Sequence, residues 1–209
     1  MLDAYALKHR YSGKWLYANA REYYILSLVN LALPAIIKKL MERTRLGTLK
    51  TYLAKARVEA RLTGLGAGST EYLDRTYSGL EEAFDITVYV DGDPCCWVDA
   101  TGVELVDDLK EGLGYCAATW KLRKAKKYEV LDRTWFAFVI NETGTAKFLR
   151  ASWLAYHLEA ESPRVTTARL REDEREAACT SPRNWLSKDK FLSQLQTALY
   201  KFIIKRKLG

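Results

Sequence analysis

The sequence is poor in the residues that bind soft metals or cross-link a chain. It has two histidines, His9 and His157, and four cysteines in 209 residues, with no Cys-x-x-Cys pair. This scarcity excludes histidine-rich metal sites and zinc-finger spacings, so any metal must be held by oxygen. A chain of this length buries roughly 70% of its unfolded surface and needs no disulfide framework. The cysteines therefore predict a reduced, intracellular protein.

Long apolar runs are also lacking. The most apolar stretch, residues 23–37, is interrupted by Ser27, Asn30 and Pro34. It is shorter than the roughly 20 residues that a membrane-spanning helix needs, and the N-terminus has no signal-peptide pattern. The sequence therefore predicts one soluble domain, residues 1–209, with no membrane partner.

Positive charge is what the chain has in excess. It carries 33 Lys and Arg against 26 Asp and Glu, which gives a formal net charge of +7 and a pI near 9.1. This balance favours a nucleic acid as partner. The alternative is that the first of the two basic clusters is only the solvated face of a helix and the second only a soluble tail. The two basic clusters are Lys121, Arg123, Lys124, Lys126 and Lys127, and then Lys201, Lys205, Arg206 and Lys207.

Hydrophobic periodicity predicts four helices before the C-terminal one. Pro34 should kink or break the first, and Thr48 is the predicted N-cap of the second. Runs with a period of two predict strands, while the charged residues 161–176 are expected to form loops. The helices are predicted at 3–45, 48–63, 112–131 and 145–159, and the strands at 70–77, 84–90, 94–101 and 134–140.

A last amphipathic helix is predicted after Ser187, which can cap its N-terminus. Its apolar residues form one stripe at helical spacing. That stripe either packs on the core of its own chain or supplies the interface of a homodimer. It consists of Phe191, Leu195, Ala198, Leu199 and Phe202.

The strands at 84–90 and 94–101 should form an antiparallel hairpin. If their apolar faces coincide, a three-residue loop at 91–93 places Asp85 directly opposite Asp99. Opposed carboxylates repel each other unless a cation lies between them, and Mg²⁺ binds through one or two carboxylates together with phosphate oxygens. The alternative is a two-residue turn at 91–92, which would shift the register by one and send Asp99 to the other face.

The order helix, strand, hairpin, helix, strand resembles the PD-(D/E)XK nuclease superfamily, to which the Holliday junction resolvases belong. Asp85 opens the second strand after Phe84, and Asp99-Ala100-Thr101 stands on the third. The resemblance covers about residues 48–141 and implies an α/β core, a mixed sheet flanked by helices, with helical extensions at 1–47 and 142–209. It also implies that Asp85 and Asp99 hold Mg²⁺ or Mn²⁺. The loose motif and N-terminal helices resemble nuclease-fold proteins of archaeal viruses or plasmids.

The chain departs from the superfamily at Thr101, which occupies the place of its lysine. Some members carry that lysine on the following helix, where Lys121, Lys124 and Tyr128 share a face. The segment from Lys124 to Tyr128 also resembles the QxxxY element of that helix, with Lys in place of Gln. Lys124, and after it Lys121, is therefore the predicted migrated lysine. A solvated basic helix face is the alternative.

A further acid of the superfamily comes from the helix before the sheet. Glu59, in the segment KARVEARL, is the best-placed residue for this role. The alternatives are Glu42, Glu71, Glu81 and Glu82.

The predicted function is metal-dependent hydrolysis of DNA, with branched or otherwise structured DNA as a candidate substrate. In it Asp85, Asp99 and Glu59 hold the ion, and a lysine of the 121–127 segment stabilises the transition state. No recognition helix or zinc finger is visible, so binding should be structure-selective or nonspecific. The expected DNA contacts are Lys121, Arg123, Lys124, Lys126, Lys127 and Tyr128.

Two other classes of function stay open. A nuclease fold that binds DNA but has lost catalysis would be consistent with Thr101. A basic structural or interaction protein would not require Asp85 and Asp99 to converge at all.

Overall fold

The structure, a computed structural model, describes residues 7–11, 14–18, 20–64, 80–103, 105–109, 114–169 and 176–208. The strands in this part of the chain are β1 (Leu7–Tyr11), β2 (Lys14–Ala18), β3 (Val58–Leu62), β4 (Ile86–Val90), β5 (Asp93–Val103), β6 (Tyr115–Ala118), β7 (Thr134–Ile140), β8 (Thr145–Arg150), β9 (Val165–Arg169) and β10 (Glu176–Thr180). The α-helices are α1 (Ala20–Arg43), α2 (Gly47–Lys55), α3 (Leu80–Ala83), α4 (Thr119–Lys127), α5 (Ala151–Glu159) and α6 (Lys188–Leu208).

A five-stranded mixed sheet occupies the centre, in the order β3-β4-β5-β7-β8. Strands β5 and β7 run parallel, and the other neighbours are antiparallel. The remaining strands form a three-stranded antiparallel sheet, β6-β10-β9, and the hairpin β1-β2. This α/β architecture, a mixed sheet with flanking helices, confirms the predicted fold class.

The two faces of the central sheet pack against different helices. Alternation along β4 turns Ile86, Val88 and Val90 toward α1, α2 and α6. The opposite face, with Trp97 and Phe136, packs against α4, α5 and the three-stranded sheet. Since Asp99 is two residues from Trp97, alternation places its side chain on the α4 face.

Helix α1 is buried along one side and exposed along the other. It continues through Pro34 to Arg43, so the predicted kink or break does not end the helix. Pro34 lies on the exposed side, and packing of the buried stripe on the sheet holds the turns before and after it. By length and composition α1 could cross a membrane, yet its apolar stripe packs against the sheet here.

Strands replace part of several predicted helices. Residues 7–11 and 14–18 pair as strands β1 and β2 where the start of a helix was expected, and β3 follows α2 where one helix over 48–63 was expected. Thr48 is not the N-cap of α2; Leu46 takes that position and makes no side-chain cap. The physical reason is that pairing with neighbouring strands outweighs local helix propensity.

The same correction applies in the second half of the chain. Strand β6 precedes α4 within the predicted helix 112–131, and β8 precedes α5 within the predicted helix 145–159. The expected loop at 161–176 contains β9 and the first residue of β10. The strand expected at 70–77 lies outside the described residues.

The hairpin strands, β7 and the last helix agree with prediction. Strand β7 has the predicted bounds, and all seven of its residues are buried. Helix α6 begins directly after Ser187, whose carbonyl accepts a hydrogen bond from the Phe191 backbone N–H. The ring of Phe191 stacks on Phe148 and meets Trp135 edge-on. The α6 stripe therefore packs on its own core and is not free to form a dimer interface.

A disulfide joins Cys116 of β6 to Cys179 of β10. The expectation that all cysteines are reduced is therefore wrong. The two residues are directly opposed in the antiparallel pairing of these strands, a proximity that spacing along the sequence does not reveal. Cys95 and Cys96 are buried free thiols.

Candidate active site

The hairpin of β4 and β5 brings Asp85 and Asp99 together. Ile86 pairs with Val98 and Thr87 with Trp97, a register that places Asp85 opposite Asp99. The backbone N–H of Ala100 donates a hydrogen bond to Asp85 Oδ2 at 2.7 Å. Asp85 is therefore oriented by the strand that carries its partner.

The turn of this hairpin differs from the predicted three-residue loop. Asp91 and Gly92 form a two-residue turn with φ values of 52° and 86°, which is typical of a type I′ turn. A β-bulge then leaves Cys95 without a partner residue on β4, since Tyr89 pairs with Pro94 and Val88 with Cys96. The extra residue restores the register that the short turn would have shifted.

Arg133 holds the bulged segment. Its guanidinium donates to the Cys95 carbonyl oxygen at 3.2 Å and lies over the ring of Trp97 at 5.4 Å. The hydrogen bond satisfies a carbonyl that the bulge removes from regular strand pairing. The convergence of the acids therefore depends on a bulge that a distant arginine supports.

Lys121 of α4 completes the site. Its Nζ lies 3.5 Å from Asp85 Oδ1 and forms an ion pair with Asp99 Oδ1. The ammonium of Lys124, the lysine ranked first from sequence, lies 5.8 Å from the ring centre of Tyr128. The structure thus brings Lys121 to the two acids from the helix on which a migrated lysine was expected.

Burial dominates the electrostatics of this cluster. It raises the pKa of Asp99 to about 8; Lys121 opposes this rise, and the charge of Asp85 adds to it. Burial alone would lower the pKa of Lys121, but Asp85 and Asp99 outweigh it and hold that pKa above its ordinary value. Lys121 is therefore charged, and the ionised form of Asp99 depends on a neighbouring cation.

Glu22 is a site residue that the sequence reasoning missed. It lies in the first turn of α1, is 5% exposed, and its charge also raises the pKa of Lys121. A signal was available, because Glu22 stands in the apolar stripe of α1, three residues before Ile25 and seven before Val29. A buried carboxylate on such a stripe needs a charged partner.

Glu59 lies on β3 and not on a helix. Its carboxylate pairs with Arg57 at 3.1 Å and with Arg61. Burial would raise its pKa, but the hydrogen bonds from Arg61 and Arg57 lower the pKa below its usual value. The backbone N–H groups that donate to the Asp85 carbonyl are those of Thr63 and Gly64, and Thr63 is four residues, or about 13 Å, further along the chain than Glu59. The structure therefore does not bring Glu59 to the aspartates.

The other glutamates considered from sequence do not complete the site. Glu42 is exposed on α1, and Glu71 lies outside the described residues. The side chains of Glu81 and Glu82 are also outside the described part of the chain. Within the described ranges no group of three or more His, Cys, Asp or Glu side chains is poised to hold a metal.

The other predicted DNA contacts lie on the outer side of α4. Arg123 pairs with Glu176 at 3.4 Å, and Lys126 pairs with Glu159 of α5 at 2.7 Å. The ammonium of Lys127 lies 5.9 Å from the ring centre of Tyr128. The helix thus presents one flank to the acids and a basic surface to solvent.

Residues 8–186 match the family described as Viral/Archaeal nuclease. The chain therefore belongs to this family, which confirms the predicted relationship to nucleases of archaeal viruses. It is similar to the uncharacterized protein D-244 of Sulfolobus spindle-shape virus 1, with 34% identity over 87 residues. That match covers 38% of this chain and only 36% of the viral protein.

A solved structure shares the fold. It is that of D212, a nuclease from a fusellovirus, with a TM-score of 0.58 and 19% sequence identity. The match covers 90% of this chain and 99% of the other. The architecture around the candidate site is thus that of a known nuclease structure.

Proposed function

We propose that this nuclease is a Mg²⁺- or Mn²⁺-dependent DNA endonuclease of the PD-(D/E)XK type. The observation that carries the proposal is the buried convergence of Asp85, Asp99 and Lys121 on one face of the central sheet. Two acids and a lysine are the residue types on which that chemistry depends, and here the lysine comes from α4 instead of the strand position of Thr101.

A divalent cation fits the donor set. Oδ1 of Asp85 and Oδ1 of Asp99 both contact one ammonium group, so the two oxygens already converge on a single positive charge. Carboxylate oxygens are the ligands that Mg²⁺ and Mn²⁺ prefer, and the charge of Glu22 also acts on the same ammonium. When bound, the ion would withdraw charge from the scissile phosphate and lower the pKa of the attacking water.

The remaining groups have defined tasks in this proposal. The Ala100 N–H orients Asp85, and Lys121 donates to the negative charge that develops on the phosphate in the transition state. The basic outer side of α4 neutralises backbone phosphates, which positions DNA without reading its sequence. This supports a structure-selective or nonspecific substrate. An intracellular location and a homodimer are further proposals, with the dimer surface elsewhere than the buried α6 stripe.

The test is cleavage of supercoiled, linear, single-stranded and four-way-junction DNA with Mg²⁺ or Mn²⁺. We expect Asp85→Asn and Asp99→Asn to lose at least about 100-fold in rate, as removal of charge-stabilising groups does in other enzymes. Asp107→Asn, at an exposed position, is the matched control and should cut like the parent. Equal cutting by all four proteins would overturn the proposal.

A matched pair of lysine variants tests the assignment on α4. Lys121→Met should abolish cleavage, because it removes the ammonium between the two acids, whereas Lys124→Met should weaken DNA binding and leave the rate at saturating DNA nearly unchanged. The reverse result would assign the migrated lysine to position 124. A parent protein that binds DNA and never cuts it would favour the alternative of a nuclease fold without catalysis.

A further inference from the structure

Strand β3, at one edge of the central sheet, carries an arginine on the same face as the acids. Residues 58, 60 and 62 pack into the cluster with α1, α2 and α6, so alternation turns Glu59 and Arg61 to the α4 face. Arg61 is directly opposite Thr87, which is two residues from Asp85 on that face. Along the strand, the position of Arg61 is therefore only about 7 Å from that of Asp85.

Glu59 holds two guanidinium groups side by side. Its carboxylate pairs with Arg57 at 3.1 Å and with Arg61, and the Arg61 guanidinium also lies 4.9 Å from the ring centre of Tyr89. The side chains of Arg57 and Arg61 are 75% and 39% exposed. Each guanidinium has five N–H donors in a fork that matches phosphate, so Glu59 orients both groups and leaves donors for a ligand.

The end of α6 lies next to Arg57. The Arg57 backbone N–H donates to Asp91 Oδ1 at 2.9 Å, and Asp91 Oδ2 accepts a hydrogen bond from the hydroxyl of Tyr52 on α2. The ammonium of Lys207 lies 4.2 Å from the ring centre of Tyr52. Arg57 and the last turn of α6 therefore meet at the turn between β4 and β5.

Two further basic residues belong to this junction. Arg206 pairs with Asp93 at 2.6 Å and donates to the Val90 carbonyl oxygen at 2.9 Å. Lys55 is exposed and three residues after Tyr52, so it lies on the same side of α2. The basic end of α6 is thus docked against the central sheet and is not merely a soluble tail.

From the acids outward, these contacts place a series of basic side chains along β3 and onto α2 and α6. Six residues of β4 separate Asp85 from Asp91, a distance of about 20 Å. This equals about six base pairs of DNA at a rise of about 3.4 Å each. Positive charge along such a length attracts a polyanion rather than a small anion. The series, named here the basic strip, consists of Arg61, Arg57, Lys55, Arg206 and Lys207.

Building on the function proposed above, we propose that the basic strip binds the phosphate backbone of the DNA on one side of the cleavage site. The DNA runs from the acids along β3 to the end of α6. Contacts to phosphates carry no sequence information, so the strip strengthens the binding of a linear duplex and of a junction arm alike. Glu59 positions the two arginines and does not hold the metal.

Binding of a labelled duplex, measured by fluorescence anisotropy with Ca²⁺ in place of Mg²⁺ to prevent cleavage, tests the strip. Arg57→Met and Lys207→Met each remove one phosphate contact. Each should weaken binding about eightfold at about 0.1 M salt and reduce the slope of log affinity against log salt by about 0.9. Arg57→Lys keeps the positive charge and should restore the slope.

Two control variants remove the same charge outside the strip and should bind nearly like the parent. Lys190→Met lies at the exposed start of α6, about 25 Å along the helix from Lys207. Arg183→Met is exposed and lies three residues before Leu186, which pairs with β8 at the opposite edge of the sheet. Thermal melting confirms that all the variants fold.

Cleavage separates a binding role from a catalytic one. At saturating DNA, Arg57→Met and Lys207→Met should cut at the parent's rate, while the DNA concentration at half the maximal rate rises about eightfold. Slower cutting at saturation with unchanged affinity would overturn the proposal, as would duplex affinities and salt slopes equal to those of the parent. Loss of binding to vesicles of anionic lipid with DNA affinity intact would instead make the strip a membrane-facing surface. A parent that cuts no DNA would refute the nuclease mechanism alone, since the anisotropy measurement does not depend on cleavage.

Discussion

In the folded protein Asp99 keeps its proton at pH values where an aspartate in water would be ionised. Its pKa is about 8, because burial and the neighbouring Asp85 outweigh the attraction of Lys121, whereas an unfolded chain ionises an aspartate near about pH 4. The folded state therefore keeps this proton between these two values and the unfolded state does not. The contribution of Asp99 to the free energy of unfolding is complete below about pH 4 and is lost as the pH rises through about 8.

This difference predicts the pH dependence of stability without divalent ions. Between about pH 5 and 8 the free energy of unfolding of the parent should fall relative to that of Asp99→Asn, by at most about 1.4 kcal/mol per pH unit. Lys121 stays charged over this range, because its own pKa is raised. Urea unfolding in EDTA at several pH values measures the effect, with Asp107→Asn as control. If the free energies of unfolding of the parent and Asp99→Asn changed with pH in parallel, the raised pKa of Asp99 would be contradicted.

At the scale of elements, the end of β3 is built around the start of β4. The backbone N–H groups of Thr63 and Gly64 both donate to the Asp85 carbonyl, at 2.9 and 3.3 Å. A Cβ added to Gly64 would lie 2.7 Å from Asp85 Cα and 2.9 Å from its Oδ1. Glycine is therefore required there by the close approach of the two chain segments.

Gly64→Ala should consequently displace Asp85 and reduce cleavage by at least about tenfold, since small misplacements at an active site carry large costs in rate. Gly47→Ala is the matched control, because nothing lies within 4 Å of a Cβ at that position, and helix α2 should tolerate alanine. Cleavage rates and thermal melting of both variants check the expectation. A fully active Gly64→Ala would show that Asp85 has room to move.

The elements also show where sequence reasoning succeeds. Strong alternation of apolar and polar residues predicts the hairpin. Because each side chain of a strand lies on one of only two faces, matching the apolar faces of the two strands places Asp85 and Asp99 together. The segment from Lys55 to Leu62 is harder to assign from sequence. Val58, Ala60 and Leu62 alternate as in a strand, but the residues around them are good helix formers. Pairing with β4 decides the outcome, and no local pattern contains that information.

The site shows the same limit. Which lysine of α4 meets the aspartates depends on how the helix is rotated about its axis when it packs on the sheet. The charge of Glu22 acts on Lys121 from a helix that precedes the sheet in the chain. Its position among apolar residues was a visible signal, but its proximity to the site results from tertiary packing.

At the scale of the whole molecule, the disulfide encloses much of the second half of the chain. It joins residues separated by 63 positions, and the closed loop contains α4 with Lys121. A cross-link of this span stabilises a protein by about 2–4 kcal/mol, mainly by restricting the unfolded chain.

Dithiothreitol should therefore lower the urea midpoint of the parent by an amount equivalent to about 2–4 kcal/mol. The double variant Cys116→Ser/Cys179→Ser should unfold at the lower midpoint with or without reductant. Because Cys95 and Cys96 are free thiols, the double variant also shows whether reductant acts anywhere else. A parent midpoint that reductant does not change would contradict a structural role for the bond.

The bulge at Cys95 has an evolutionary consequence. A three-residue turn without a bulge and a two-residue turn followed by a one-residue bulge contain the same number of unpaired residues. Either arrangement therefore gives the same register at constant chain length. Relatives that replace Asp91-Gly92 by other turn sequences can keep both aspartates on one face if the interval from Asp85 to Asp99 is unchanged. An insertion or deletion of one residue in that interval would separate the pair, and we expect homologous active nucleases to show none.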